Sequence, residues 1–292
     1  MKVFVTGATG FTGSRVVPLL LQNGYQVRCL YRPTSDRSLL PQPEIEWALG
    51  DLSDTPALAA SMQDAQGADA LVNIASLGFG HAESIVSAAL KAGIERAIFI
   101  STTAIYTQLN AKSKKVRVAA ECTIKDSRLK YTILRPTMIY GSPRDRNMWQ
   151  LIRFMRTWPV VPIFGDGNSL QQPVYVGDVA QAVVNSLLKD ETIGKSYNIS
   201  GEYPLTYNEV IDTIARLMNK QVRKIHISSR SMVSLLRVFE RIRIPFPFKS
   251  EQILRLNEDK AFSYADAQRD FDYSPLSFED GIKLELKQLR VQ

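Results

Sequence analysis

The first 24 residues, MKVFVTGATGFTGSRVVPLLLQNG, constrain the fold more than any other stretch of the chain. A short β-branched and aromatic run ends in a turn with glycines at positions 7, 10 and 13, and a helical pattern closed by Gly24 follows. Gly7 permits a tight turn, Gly10 lets a pyrophosphate approach the backbone, and Gly13 lets the helix pack closely on the strand. The first N–H groups of that helix would then point at the phosphates. The segment therefore predicts a phosphate-binding strand–turn–helix unit.

Strands and helices alternate over the first 140 residues. Further strand-like runs are YQVRCLYR, IEWALGD, ADALVNIAS, RAIFIST and YTILRPTMIYG, and helical patterns, including AESIVSAALKAGI, lie between the last four. Such alternation implies right-handed crossovers and a parallel sheet with helices on both faces. We therefore predict an α/β fold of the Rossmann type, a doubly wound parallel sheet with a smaller C-terminal substrate domain.

After Tyr140 the pattern loosens, which indicates the second, smaller domain. WPVVPIFGDGNSLQQP is rich in proline and glycine and is typical of a long loop, whereas TYNEVIDTIARLMNK predicts an amphipathic helix. Between them, QPVYVGDVAQAVVNSLL returns to the sheet. We predict that residues 1–141 and 171–195 form the dinucleotide-binding domain, and that residues 142–170 and 196–292 form the substrate-binding domain.

Composition and charge exclude several classes of protein. Hydrophobic residues make up 45% and charged residues 22%, and no run approaches the roughly 20 apolar residues of a membrane span. The net charge of +7 favours anionic partners, but neither zinc spacing nor an RNA-binding signature accompanies it, so we predict no nucleic-acid partner. Cys29 and Cys122 lack metal or redox spacing, so we expect reduced core thiols and no metal site. Without a signal peptide, the sequence favours a cytoplasmic location.

Several further motifs accompany the glycine turn. They are GDL at 50–52, NIAS at 73–76, ISTTAIY at 100–106 and LRPTMIYG at 134–141. Together with the spacing G-x-x-G-x-x-G, these motifs resemble the short-chain dehydrogenase/reductase superfamily. The closest match is to its extended and atypical branches, which include nucleotide-sugar epimerases and dehydratases. The resemblance covers nearly the whole chain.

The resemblance implies a binding site for a nicotinamide dinucleotide. It assigns to that site the residues of the turn, an adenine-contacting element, a segment after the fourth strand and two nicotinamide-facing residues. These are Gly7, Thr9, Gly10, Phe11, Thr12, Gly13, Asp51, Leu52, Ala75, Ser76, Pro136 and Ile139.

The end of the second strand bears on the choice between NAD and NADP. In folds of this kind an acidic residue there selects NAD, whereas a positive residue accommodates the 2′-phosphate of NADP. Arg32 stands at that point in CLYRPTSDR, and its planar fork suits a phosphate. Asp36, four residues later, could still bend back toward the ribose. We therefore favour NADP over NAD.

The catalytic tyrosine and lysine of the superfamily are missing. In the family a tyrosine hydroxyl transfers the proton while hydride moves, and a lysine one helical turn later lowers that tyrosine's pKa. Anchored on Glu121, the family pattern puts Ser113 at the tyrosine position and Arg117 at the lysine position. None of the eleven tyrosines is followed by lysine four residues later. An unassisted serine hydroxyl is too weak an acid to replace tyrosine, and arginine does not deprotonate.

Other candidate catalytic residues remain. Thr102 lies four residues before Tyr106, where the family's substrate-polarising serine or threonine stands, and Tyr106 itself is expected to be structural. His81, in GFGH, is expected at the rim of the active site, where it could transfer protons. The candidate catalytic residues are therefore Thr102, His81, Ser113 and Arg117.

Basic residues could bind a phosphorylated small-molecule substrate. Arg144 and Arg146, in GSPRDRNM, stand where the loop after the sixth strand enters the predicted cleft. Further on, RSMVSLLRVFERIRIPFPF predicts a basic amphipathic helix with Leu235, Phe239 and Ile242 on one face. That helix could pack on its own core, act as a lid whose arginines grip a diphosphate, or dock on a membrane surface or a partner.

Two functions stay open at this point. The first is an atypical NAD(P)-dependent oxidoreductase or epimerase that acts on a nucleotide-sugar-like or other carbonyl substrate. Thr102 would polarise the substrate oxygen, and a water, His81 or a ribose hydroxyl would relay the proton. The second is a non-catalytic NADP-binding protein that senses redox state or stabilises an assembly, which the Ser113 and Arg117 replacements favour. We favour the enzyme. Because dimers are common in the resembling family, a homodimer is the oligomeric state that the resemblance implies.

Overall fold

Strands and helices follow one another in the computed structural model, which describes residues 1–63, 67–145, 147–241 and 250–290. The strands are β1 (Lys2–Thr6), β2 (Gln26–Tyr31), β3 (Ile45–Leu49), β4 (Ala70–Asn73), β5 (Arg96–Ile100), β6 (Lys130–Pro136), β7 (Ile139–Tyr140), β8 (Val160–Phe164), β9 (Leu170–Gln171), β10 (Val174–Tyr175), β11 (Lys195–Ile199), β12 (Leu205–Thr206) and β13 (Arg223–Ile227). The helices are α1 (Gly13–Gln22), α2 (Thr55–Gln63), α3 (Ala82–Lys91), α4 (Lys112–Lys125), α5 (Met148–Thr157), α6 (Val176–Leu188), α7 (Tyr207–Leu217), α8 (Ser229–Arg241), α9 (Ser250–Leu256), α10 (Ala265–Phe271) and α11 (Phe278–Arg290).

Seven of these strands form one parallel sheet in the order β11-β6-β5-β4-β1-β2-β3. The order reverses between β1 and β4, so the connections that leave these two strands run in opposite directions. In open parallel sheets, the crevice that binds ligands lies at the carboxyl edge at such a reversal, which here falls between the turn after β1 and the segment after β4. The predicted doubly wound α/β fold is confirmed.

Helices cover both faces of this sheet. On one face α1, α6 and α10 contribute Val17, Val183 and Phe271 to a continuous apolar core. On the other face α2, α3 and α4 bury residues such as Leu58 and Ile124. Because strands such as β1 are buried on both sides, they consist of uninterrupted apolar runs rather than alternating ones.

A smaller unit with a core of its own lies beyond the carboxyl edge of the sheet. Its core is built from α5, β8, α7 and α11, with Ile152, Val161, Ile211 and Ile282 fully or almost fully buried. The predicted helix in TYNEVIDTIARLMNK is confirmed as α7. Thr206 starts this helix through a reciprocal capping box with the glutamate three residues later.

Two predicted boundaries differ from the structure. Residues 158–173, predicted as a loop, contain β8, which pairs in parallel with β13. The run VVPIF is β-branched and aromatic, and Pro162 is tolerated because both strands of a two-stranded sheet are edges. Residues 196–199 were predicted in the smaller domain, but they continue β11, which pairs with β6 in the large sheet as far as Ile199. The rest of the domain division stays a prediction.

Two expectations about single side chains also need correction. Cys29 is a buried free thiol, as expected, but the free thiol of Cys122 is exposed on α4. On α8 the buried residues are Val233 and Leu236, which pack on α9, whereas Leu235 is 45% exposed. The other two residues of the predicted apolar face lie outside the described side chains. The helix is thus amphipathic, but α9 covers a different face of it.

Candidate functional site

The turn after β1 contains three glycines that differ in what surrounds them. Gly7 has a φ of +71°, and a Cβ there would lie 2.6 Å from the backbone nitrogen of Ala75. A Cβ on Gly13 would lie 2.2 Å from the carbonyl oxygen of Gly7. A Cβ on Gly10 would meet only that same oxygen, at 3.1 Å, and otherwise open space. Packing therefore requires Gly7 and Gly13, whereas Gly10 leaves the backbone accessible from outside.

Helix α1 begins directly after this turn. Ser14 donates a hydrogen bond from its hydroxyl to the carbonyl of Phe11 at 2.9 Å, and the carbonyl of Thr12 accepts the N–H of Val16. In the described stretch 1–63, Thr12 makes no side-chain capping hydrogen bond to the helix. The start of α1 therefore offers N–H groups and the positive end of the helix dipole to an anion. These N–H groups can bind a pyrophosphate through backbone atoms alone.

A buried hydrogen bond joins the two loops that flank the crevice. The hydroxyl of Thr6, at the end of β1, donates to Oδ1 of Asn73, at the end of β4, over 2.6 Å. The Nδ2 atom of Asn73 donates in turn to the carbonyl of Ala75 at 3.0 Å. Ser76 then starts a short 3₁₀ turn by accepting the N–H of Gly78. Ala75 and Ser76 thus lie along the same crevice as the glycine turn.

Residues from the ends of β2 and β3 share one electrostatic environment with His81. Hydrogen bonds from Ser53 lower the pKa of Asp51, and the charges of His81 and Arg32 lower it further. Arg32 is exposed, and in the described ranges no residue accepts a hydrogen bond from its guanidinium. The neighbouring Leu52 packs against the apolar core on the sheet face that α2, α3 and α4 cover. His81, which we expected at the catalytic rim, is therefore close enough to influence a residue of the predicted adenine site.

Arg144 lies beside the glycine turn. Its Nη2 atom donates to the carbonyl of Thr9 at 3.1 Å. Hydrogen bonds from Ser38 lower the pKa of Asp36, and the charge of Arg144 adds to that effect. The structure therefore brings Arg144, predicted at the substrate, next to the predicted dinucleotide site. Arg146, the other predicted substrate residue, lies outside the described residues.

A buried ion pair underlies the predicted catalytic residues. Glu121 on α4 pairs with Arg135 on β6 at 2.5 Å, and the two side chains are only 4% and 11% exposed. Burial raises the pKa of Glu121, but hydrogen bonds from Arg135 and Ser101 outweigh it and bring the pKa below its ordinary 4.5. Arg135 also donates to the hydroxyl of Tyr106 at 2.8 Å and lies over its ring. Glu121 and Tyr106 thus have structural partners.

Thr102 starts the 3₁₀ turn that leads to Tyr106. Its hydroxyl oxygen accepts the N–H of Ala104 at 3.2 Å, which leaves the hydroxyl proton available to a ligand. The next residue, Thr103, donates to the carbonyl of Pro136 at 3.4 Å. Pro136, at the end of β6, therefore lies beside the turn that Thr102 starts.

An arginine from α9 reaches Ser113, the predicted tyrosine position. Arg255 on α9 donates from Nη2 to the hydroxyl of Ser113 at 3.4 Å and pairs with Glu251 at 2.6 Å. Arg117, at the predicted lysine position, is partly buried. It packs so closely on Gly78 that a Cβ on that glycine would lie 3.2 Å from Nε of Arg117. Burial lowers the pKa of Arg117, and the charge of Arg255 lowers it further. The sequence analysis missed Arg255, because nothing in its local pattern marks it.

Two cavities lie near these elements, and neither is lined by Thr102, Ser113 or Arg117. The first, of about 370 Å³, lies between the loop before β12 and the segment that enters α10. The second, of about 300 Å³, adjoins the start of α1. The lining of this second cavity consists of Ser14, Arg15, Leu39, Ser142, Pro143, Arg144 and Gln288.

In the described ranges, no three or more His, Cys, Asp or Glu side chains are grouped so that they could hold a metal ion. Among the helices of this part of the chain, none is both long and apolar enough to cross a membrane.

Comparison with known proteins gives matches along most of the chain. The model of the NAD dependent epimerase/dehydratase family matches residues 3–200, from β1 to the end of β11. A mitochondrial protein of Arabidopsis thaliana, NADH dehydrogenase (ubiquinone) 1 alpha subcomplex subunit 9, is 27% identical over 89% of this chain and 69% of its own. A 3 beta-hydroxysteroid dehydrogenase/Delta 5→4-isomerase of Mycobacterium tuberculosis is 24% identical over 94% and 86% of the two chains.

Among solved structures, the UDP-glucuronic acid 4-epimerase of Bacillus cereus, in complex with UDP-glucuronic acid and NAD, is similar over the full length. The match has a TM-score of 0.77 at 21% identity and covers 100% of this chain and 99% of the epimerase. The likeness supports the fold described above, including the smaller unit.

Proposed function

This chain belongs to the NAD dependent epimerase/dehydratase family, and we propose that it is an atypical NAD(P)-dependent oxidoreductase or epimerase that acts on a carbonyl substrate. The observation that carries this proposal is the glycine turn after β1, at the point where the strand order reverses between β1 and β4. Gly7 and Gly13 have no room there for a side chain, while Gly10 leaves the backbone open. A pyrophosphate at the start of α1 fits this arrangement. Nucleotide sugars are one substrate class, in keeping with the UDP-glucuronic acid bound by the Bacillus cereus epimerase.

A nicotinamide dinucleotide would supply hydride transfer at its nicotinamide ring when bound. The residues that we assign to its binding share a position at the carboxyl edge of the sheet. They are Gly7, Thr9, Gly10, Phe11, Thr12 and Gly13 for the pyrophosphate, Asp51 and Leu52 for the adenine, Ala75 and Ser76 along the crevice, and Pro136 and Ile139 for the nicotinamide.

Thr102 is the side chain that we assign to the substrate oxygen. Its hydroxyl keeps a proton to donate, so it can polarise a carbonyl. Ser113 and Arg117 are poor proton donors, because an unassisted serine is too weak an acid and arginine holds its proton. His81 lies close enough to Asp51, which we assign to the adenine, for its charge to lower the pKa of that carboxyl group. We therefore assign the proton transfer to a water molecule rather than to His81.

We further propose NADP as the preferred dinucleotide. Arg32 stands exposed at the end of β2, and within the described residues its guanidinium has no hydrogen-bond acceptor, so it is available for a 2′-phosphate. Arg144 adds a second positive charge, since it donates to the carbonyl of Thr9 and its charge lowers the pKa of Asp36. We therefore reassign Arg144 from the substrate to the dinucleotide. A cytoplasmic location and a homodimer stay predictions.

A non-catalytic dinucleotide-binding protein is the second candidate. The contact between Arg255 and Ser113 favours it, because a side chain of the protein itself then stands where the family has its catalytic tyrosine. The relative from Arabidopsis thaliana, named as a subunit of NADH dehydrogenase, is in keeping with such an assembly role.

Fluorescence titration with NADPH and NADH tests the proposed dinucleotide site. The proteins are the wild type, Arg32→Ala and Arg230→Ala, the last of which removes an exposed arginine of α8 as a matched control. We expect NADPH to bind more tightly than NADH, and only Arg32→Ala to weaken NADPH, by about ten- to hundredfold. Absence of binding by both nucleotides would contradict the proposal.

Turnover then separates the two candidate functions. NADPH oxidation is followed with a panel of carbonyl compounds that includes UDP-sugars. Oxidation that depends on one member of the panel supports the enzyme. Tight NADPH binding without oxidation by any member supports the non-catalytic candidate.

A further inference from the structure

Two arginines lie where the family pattern places its tyrosine and lysine, and Lys260 lies beside one of them, Arg255. Arg117 lies on α4, one helical turn after Ser113, and Arg255 on α9 donates to the hydroxyl of that serine at 3.4 Å. Lys260 lies in the segment after α9. Burial lowers the pKa of both Arg117 and Lys260, to about 8 for Lys260, and the charge of Arg255 lowers both further. Two units of the molecule thus bring like charges together at one place.

The acidic residues nearby leave the two arginines incompletely paired, whereas the ammonium of Lys260 donates to Oε1 of Gln171 at 3.1 Å. Glu251 pairs with Arg255 at 2.6 Å. The charge of Glu258 favours the charged form of Lys260, and Glu258 accepts a hydrogen bond from the hydroxyl of Thr107 at 2.8 Å. Arg117 forms neither a hydrogen bond nor an ion pair with any residue in the described ranges. The Nε atom of Arg255 is buried without a hydrogen-bond partner among those residues. Both guanidinium groups therefore retain free donors.

This arrangement is unfavourable unless an anion completes it. A partly buried charge without a partner is costly, and an arginine cannot relieve the repulsion by losing its proton. The two oxygens of a carboxylate or a phosphate match the planar fork of a guanidinium and can pair with two such groups at once. We propose that Arg117 and Arg255 together bind the carboxylate or phosphate of the small molecule that this site accepts.

The inference rests on the proposed function and narrows its substrate class to carbonyl compounds that carry an oxyanion. A neutral substrate would leave the repulsion between the two arginines in place. Because Arg117 belongs to α4 and Arg255 to α9, the same anion would also join the large unit to the smaller one. The arginines thus act in binding and positioning, while the polarising hydroxyl remains that of Thr102.

Isothermal titration calorimetry of the NADPH-saturated protein tests this inference. Malonate and inorganic phosphate serve as probes, since bound NADPH keeps them out of the pyrophosphate site. We expect saturable binding of at least one probe with a Kd on the order of 1 mM. Arg117→Gln and Arg255→Gln should each weaken that binding at least tenfold, whereas Arg230→Gln should not change it. Binding of malonate alone indicates a carboxylate ligand, and binding of phosphate alone indicates a phosphate ligand.

Direct NADPH titration of every variant separates this inference from the dinucleotide proposal. If the wild type does not bind NADPH, the dinucleotide proposal is wrong, and the probes are titrated into the free protein instead. Equal probe binding by the wild type and both arginine variants would overturn the anion site. Lack of saturable binding of either probe up to about 10 mM would overturn it as well. Arg255→Gln is an independent check should Arg117→Gln fail to fold.

Discussion

The glycine turn of residues 7–13 and the catalytic position, meaning Thr102, Ser113 and Arg117, lie at the same edge of one sheet but are built differently. The turn consists of backbone that follows from a single local segment. At the catalytic position the decisive groups are side chains, and one of their contacts, from Arg255, comes from 142 residues further along the chain. The turn has the glycine spacing of the resembling family, whereas the family pattern anchored on Glu121 predicts that Ser113 and Arg117 replace the tyrosine and the lysine.

The difference shows which parts of such a site can change without loss of the fold. A side chain at Gly7 or Gly13 would collide with backbone atoms, so the fold requires glycine at both positions. Ser113 and Arg117 lie on a helix that is held by another residue, Glu121, through its buried pair with Arg135. The residues at positions 113 and 117 can therefore be exchanged while α4 stays in place.

Removal of this ion pair is expected to have the largest effect. Glu121→Ala leaves Arg135 buried without its partner, which should lower the free energy of unfolding by about 3–5 kcal/mol in urea titrations near pH 7. Lys125→Ala is the control, because that exposed lysine lies 3.7 Å from the same carboxylate and should contribute less than about 1 kcal/mol.

The pH dependence of that difference follows from the lowered pKa of Glu121. A carboxyl group whose folded-state pKa lies below 4.5 contributes stability that is fully present above pH 4.5 and is lost as the pH falls through the folded-state pKa. The gap between the wild type and Glu121→Ala should therefore narrow below pH 4.5. A difference of less than about 1 kcal/mol at pH 7 would mean that α4 is held by other contacts.

The sequence was sufficient to predict the sheet and the glycine turn, because both depend on local patterns. Strands such as β1, β4 and β5 are short β-branched or aliphatic runs, and the turn needs glycine where backbone atoms approach each other. Strand β8 was missed because prolines and glycines surround VVPIF, and its partner β13 lies some sixty residues later in the chain.

The contacts within the site could not be predicted, because they depend on how distant segments dock. Arg144 was placed in the right loop, but its acceptor, the carbonyl of Thr9, lies 135 residues away in sequence. The same holds for Arg255, since neither its own helix nor the sequence around Ser113 specifies that the two meet. His81 was located in the right loop, yet the sequence did not reveal that Asp51 would lie near it.

Two alanine substitutions in the turn would separate packing from ligand binding. Gly13→Ala forces a Cβ to within 2.2 Å of a backbone oxygen, so we expect a loss of about 3 kcal/mol in the free energy of unfolding. Gly10→Ala meets one oxygen at 3.1 Å, so it should fold with a loss below about 1 kcal/mol. NADPH affinity of Gly10→Ala should nevertheless fall at least about tenfold, because the methyl group occupies the approach to the backbone. Unchanged NADPH affinity in Gly10→Ala would argue against a pyrophosphate at this turn.

Thr102→Val would show whether the catalytic position still polarises a substrate. The valine has nearly the same shape but no proton to donate, so kcat/KM with a substrate identified by the carbonyl panel should fall about ten- to hundredfold. Thr102→Ser keeps the hydroxyl and should retain most of the activity. NADPH affinity, measured by fluorescence, should stay within about twofold in both variants. Equal activity of Thr102→Val and the wild type would remove this residue from the mechanism.

The smallest expected effect has the opposite sign to the others. Arg117 is partly buried, has no ion-pair partner among the described residues, and is repelled by Arg255. Arg117→Gln removes that repulsion, so in buffer without phosphate or carboxylate the free energy of unfolding should stay the same or rise by up to about 1 kcal/mol. Arg135→Gln, which removes a paired arginine from the same region, should instead destabilise the protein by several kcal/mol. Added phosphate or malonate should stabilise the wild type more than Arg117→Gln, because only the wild type retains both arginines of the proposed anion site. A clear loss of stability in Arg117→Gln without added anion would show that Arg117 stabilises the protein through packing. The difference between the glycine turn and the position of Ser113 and Arg117 would then not depend on an anion.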